Sequence, residues 1–113
     1  MNASTKLMQA RKKAYYKVIR DHTSLIVSNV EVEDFRSWLI QDYVFEESGA
    51  LDDITEKATR KKRAVEFVTR LEGVSLEKLR KALDAMKHTY PHVHDPIKAG
   101  IKIFIDILFI SNC

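Results

Sequence analysis

At 113 residues, with 45% apolar and 31% charged side chains, the chain is long enough for one buried core, too short for two, and excluded from the disordered class. Three glycines and two prolines leave little punctuation and predict a mostly helical chain, while a single cysteine, Cys113, excludes a disulfide framework and fits a reducing, cytoplasmic setting. A net charge of +3 does not by itself demand nucleic acid.

The N-terminal stretch lacks the unbroken apolar run of a secretory signal, so Asn2-Ala3-Ser4 reads as a chance glycosylation sequon. Apolar positions then recur as Leu7, Tyr15, Val18, Ile19, His22, Leu25 and Ile26, close to one helical face, with a bend suggested by the β-branched Ile26-Val27. "VEVEDFRSWLIQDYVF" predicts a second helix from Glu33 or Asp34, where acids suit the N-terminus, burying Phe35, Trp38, Leu39 and either Tyr43 or Val44. A loop at Ser48-Gly49 precedes a short helix with Leu51, Ile54 and Ala58 inward.

Thr59 is suited to cap the next helix, whose periodic positions are Ala64, Phe67, Val68 and Leu71 and which Gly73 closes. Ser75 caps "LEKLRKALDAMKH", with Leu76, Leu79, Leu83 and Met86 on its apolar face. Pro91 and Pro96 bracket a break. Beyond it, 97–113 reads as a hydrophobic C-terminal tail whose ordered part is helix or strand, appended to a helical domain over 1–96. Its most apolar part, "IKIFIDILFI" (101–110), is too short to span a bilayer, which takes about 20 residues. Five helices joined by short connections predict antiparallel neighbours around one core.

The sequence carries no recognisable catalytic signature. No phosphate-cradling G-x-x-x-x-G-K-[ST] occurs, and Cys113 has no neighbour that would activate it. His88 and His92 have a zinc-like i, i+4 spacing, but Pro91 interrupts their helix, so these two and His94 read as surface histidines at a helix end. Adjacent acids such as Asp52-Asp53 and Glu46-Glu47 diverge on a helix and do not make an acid–base pair. No catalytic residue, metal or cofactor is expected.

The charge is distributed in stripes. Lys6 to Arg20 holds six cations and no acid, Glu31 to Glu56 nine acids and one cation, and Lys57 to Lys81 nine cations against three acids. Arg60, Lys61, Lys62 and Arg63 occupy the first turn of a predicted helix, where the dipole favours carboxylates.

"VSNVEVEDFRSWLIQDYVF" (27–45), "ITEKATRKKRAVEFVTRLEG" (54–73) and "LEKLRKALDAM" (76–86) resemble, in that order, the first-to-second, third-to-fourth and fifth helices of caspase recruitment domains, a branch of the death-fold superfamily. The similarity is nearest to initiator caspase prodomains and covers about 15–95; Trp38 stands where a smaller core residue is common, and the segment after Ile97 has no counterpart. The resemblance implies an all-α, antiparallel six-helix Greek-key bundle with a bent or split first helix. It implies homotypic docking on a caspase or adaptor of the same fold in apoptosis or innate immune signalling, with self-association into dimers or filaments as a further possibility.

It also implies a basic face of Lys17, Arg20, Arg60, Lys61 and Lys62 meeting an acidic face of Asp34, Asp42, Glu46, Glu47, Asp52 and Asp53. Such complementary charge steers encounter and weakens with salt. The rival reading is a helical nucleic-acid binder using "RKKAYYKVIR" (11–20) and "TRKKR" (59–63); the nine intervening acids oppose it, and no nucleic-acid or membrane partner is expected.

Overall fold

A computed structural model describes residues 3–45 and 49–110, and all of the regular structure in them is helical. Seven α-helices follow in order: α1 (Ala3–Asp21), α2 (Thr23–Asn29), α3 (Arg36–Gln41), α4 (Ala50–Thr55), α5 (Arg60–Leu71), α6 (Leu76–Thr89) and α7 (Pro91–Ile110). A 3-10 turn, Val32–Phe35, leads into α3. Ser48 and Cys113 lie outside the described residues.

The first helix is broken, a few residues before the β-branched stretch. His22 leaves helical geometry at φ −98° and ψ 18°. Its N–H is shared between the Val18 and Ile19 carbonyls at 3.2 and 3.1 Å, and its ring Nδ1 lies 2.8 Å from the Val18 oxygen. One side chain thus ties off α1 and lets α2 turn onto α5. Two later helices start as their caps dictate: the Thr59 hydroxyl accepts from Lys62 N–H at 3.1 Å, and Ser75 from Lys78 N–H at 3.3 Å.

α1 packs on α6 and α7, α4 on α5, and the 3-10 turn on both α5 and α6. Phe67 of α5 sits at the centre, with edge-on contacts to Phe35 at 5.4 Å and Phe45 at 6.2 Å between ring centroids. Ile19, Ile26, Leu39, Ile54, Leu71, Leu79, Leu83 and Met86 belong to the same buried cluster. α7 crosses α1 closely at Gly100, where an added Cβ would come within 3.0 Å of Val18 Cγ1. The two helices run antiparallel, since Lys17 lies over Phe104 while Val18 and His22 meet Gly100.

Several sequence expectations need correction. The boundary at 96/97 falls inside α7, which runs on through Pro96; Ile97 and Ile101 belong to the same core as Val93, so 97–110 is helix and part of the domain. Pro96 removes one helical donor, and the exposed turn around it tolerates the loss. Leu7 is exposed because the core begins at Ala14, and Ala58 is exposed because α4 stops at Thr55. Of the pair Tyr43 and Val44, Val44 is buried while Tyr43 points outward from a backbone at φ 50°. Gly73 does not adopt a positive φ; α5 closes instead through a tightened turn, with Glu72, Gly73 and Val74 N–H groups reaching the carbonyls three residues back.

Candidate functional site

The four-cation run forms the N-terminal turn of α5, and the helix separates its members. Arg60 turns toward α2 and donates to the Val27 and Val30 carbonyls at 2.7 and 3.4 Å, satisfying the end of a helix that has no further turn of its own. Arg63 grips Glu31 through both forks, at 3.0 and 2.6 Å, and donates to the Lys57 carbonyl at 2.9 Å. Both side chains of that pair are largely covered. The guanidinium holds the Glu31 carboxyl below the ordinary carboxylate range, chiefly through its hydrogen bonds and against the opposing cost of burial.

Lys61 and Lys62 point to solvent, and neither side chain has an ion pair or hydrogen bond among the described residues. Val65, one turn beyond Lys61, is 47% exposed beside them. These three are exposed together near the start of α5.

The other predicted basic residues are not gathered into that patch. Lys17 pairs with Asp21 at 2.7 Å and lies 5.6 Å over the Phe104 ring, so it faces α7. Arg20 is exposed and shares the surroundings of Tyr16 with Glu72, toward the opposite end of α5. Burial pushes the Tyr16 hydroxyl up, Glu72 adds to the shift and Arg20 opposes it.

The acidic residues divide in the same way. Asp52 is bound by Arg36 at 2.9 Å and Asp53 by Arg70 at 3.0 Å, so their charge is met inside the chain. Arg70 also holds Glu66 at 2.9 Å. Asp34 accepts from the Tyr90 hydroxyl, which in turn accepts from Glu31 N–H at 3.1 Å. Desolvation first, and then that bond to Asp34, push the Tyr90 hydroxyl above its usual range. The Asp42 carboxylate, half-buried at the end of α3, has no ion-pair partner among the described residues, while its carbonyl accepts from Lys78 Nζ at 3.0 Å. Glu46 and Glu47 lie outside the described residues.

Around Asp42 the surface is partly apolar. Ile40 is 54% and Tyr43 73% exposed. Trp38 is half-buried with its ring stacked on His88, 4.0 Å between centroids and 10° from parallel. The helical stripe predicts Trp38 in the core; an α3 of only six residues leaves it at the rim, where an imidazole from α6 covers it.

His94 corrects the expectation of three surface histidines. It is only 5% exposed, with Nδ1 2.8 Å from Asp95 and Nε2 unpartnered among the described residues. His88 and His92 are exposed on different helices, and the described residues hold no cluster of three or more side chains fit for a metal. A cleft of about 550 Å³ beside the α5–α6 joint is lined in part by Lys12, Arg70 and Lys78, but Arg70 and Lys78 already serve acceptors of the chain. No helix among the described residues is long and apolar enough to cross a membrane.

Compared with known proteins, the chain matches no family model, and no curated protein or solved structure matches it significantly.

Proposed function

We propose that this chain is a non-catalytic docking module of the caspase recruitment type, presenting Lys61 and Lys62 to carboxylates of a partner of the same fold. The observation that carries the reading is the division within one helical turn. Arg60 and Arg63 are spent on internal carbonyls and Glu31. Lys61 and Lys62 sit at the same positive helix end with no acid among the described residues to justify them. An outside carboxylate relieves that cost and a solvated lysine does not.

Two further features support it. If α1 and α2 are counted as one broken rod, the helices number six, the count the resemblance implies, and α2 packs on α5, which is compatible with a basic face shared by the first and fourth helices. Acids also flank α3, Asp34 in the 3-10 turn before it and Asp42 just after it, with Glu46 and Glu47 following in sequence, and these are the carboxylates that Lys61 and Lys62 of another copy would meet. Contact between unlike faces is heterologous and leaves a free face on each copy, which permits extension into open assemblies. The partner is then a caspase or adaptor of cell-death or innate immune signalling, or this chain itself.

The test is size exclusion of the full chain at low and high salt, followed by electron microscopy, beside capture by a panel of caspase recruitment domains. Assembly or capture that fades with salt and disappears in Lys61→Glu with Lys62→Glu is the expected result. Binding unchanged in that variant overturns the proposal. A low-salt mobility shift of duplex or single-stranded nucleic acid, lost in the same variant, transfers the face to the rival reading.

A further inference from the structure

The last helix is longer than the core it serves. Its buried residues are Val93, His94, Ile97 and Ile101, and no described side chain beyond Ile101 is fully buried. Ile103 and Ile107, four residues apart and therefore on one side of α7, are each 60% exposed, with Ala99 exposed on the same ridge. Single exposed isoleucines are ordinary; two on one ridge, in the most apolar segment of the chain, form a coherent face. Lys102 and Asp106 run along one flank of it, also four apart, exposed and without ion-pair or hydrogen-bond partners among the described residues.

We infer that this ridge joins two copies of the chain, with α7 packed antiparallel against α7 of the partner copy. The order of the charges selects that occupant. About a two-fold axis between positions 104 and 105, Ile103 meets the partner's Ile107 and Lys102 faces the partner's Asp106, each contact occurring twice as an isologous interface requires. On antiparallel helices like flanks meet, so both pairs form together. In a parallel copy unlike flanks meet, so Lys102 would not face the partner's Asp106 and neither charge would be answered. A lipid surface would have to strip water from Asp106, which sits beside Ile107 and opposes anionic headgroups. The ridge lies apart from Lys61 and Lys62, so this pairing goes beyond the charge docking proposed above and is independent of it.

Sedimentation of the full chain in physiological salt, from low micromolar to several hundred micromolar, tests it in the wild type and in Lys61→Glu. The expected result is a monomer–dimer equilibrium of the same strength in both. Ile103→Lys should weaken it at least tenfold with the helical circular-dichroism signal unchanged. Lys102→Asp alone should weaken it severalfold by placing acid against acid, and Lys102→Asp combined with Asp106→Lys should restore it. Monomer at every concentration, a dimer insensitive to Ile103→Lys, or a double exchange no tighter than the single one overturns the inference. So does association lost in Lys61→Glu, which assigns it to the α5 face instead. Binding to vesicles of anionic lipid that Ile103→Lys abolishes, without a dimer, assigns the ridge to a membrane surface and overturns it too.

Discussion

Arg60 and Arg63 on one side of α5, and Lys61 and Lys62 on the other, come from one unbroken basic run and end in opposite roles. Three residues apart on a helix, the two arginines face α2 and Glu31, where forked guanidiniums can satisfy several oxygens at fixed angles. The lysines, turned outward, have flexible stems, a point charge and no acceptor among the described residues. The difference teaches that a basic run is not a functional unit. Helical periodicity divides it into a part that fastens the bundle and a part left for something else.

The largest way to probe that division is to remove what both sides rest on. Phe67→Ala takes away the ring between Phe35 and Phe45 and should cost about 3–5 kcal/mol. Denaturant unfolding measures it, and a loss under about 1 kcal/mol would mean that the aromatic cluster is not the centre of the core. Next comes the arginine side. Arg63→Ala leaves Glu31 half-covered without its partner and frees the 3-10 turn from α5, so the melting midpoint should fall by several degrees, more than for Arg36→Ala at the more open Asp52 pair.

Acid sharpens the same contrast. The folded Glu31 carboxyl is depressed, so the unfolded chain takes up its proton first, near the ordinary glutamate value of about 4.3. The stability it contributes is full above that pH and drains away as pH falls further, through the folded value. Arg63→Ala should remove this part of the acid limb, and Lys61→Ala should leave it in place. Thermal melts of the three proteins between pH 6 and 2.5 distinguish them, and an identical acid limb in wild type and Arg63→Ala would refute the assignment.

Much of the bundle was legible in the sequence because it depends on local rules: caps at Thr59 and Ser75, the periodic core of α5 and α6, and acids before α3. What was not legible depends on partners far apart in the chain. No spacing rule says that Arg60 will reach Val27, that Arg70 will bind Asp53, or that Trp38 will be covered by His88. The charge stripes were visible. Their sorting into engaged and open residues was not, because it requires the facing helix to be known. The segment after Pro96 stays open between helix and strand in the sequence for a related reason. Alternating apolar residues suit helix or strand equally, and Ile97 and Ile101 reveal themselves as core only against α1 and α6.

The smallest expected effect is the most diagnostic, because its sign is unusual. Lys61 and Lys62 stand in the first turn of α5, against the helix dipole, and no acid of the described chain compensates them. Reversing either charge should therefore stabilise the fold, by about 0.3–1 kcal/mol at low ionic strength, with the gain shrinking as salt is added. Most surface substitutions do nothing measurable, and most substitutions at an interface that also supports the fold lose stability and binding together. A variant that melts higher yet no longer docks separates the two functions of α5: the lysines are then kept at a cost to the monomer for the sake of a contact outside it. If Lys61→Glu instead lowers the melting midpoint as Arg63→Ala does, the lysines belong with the arginines as fasteners of the bundle, and the distinction between the two sides of this helix fails.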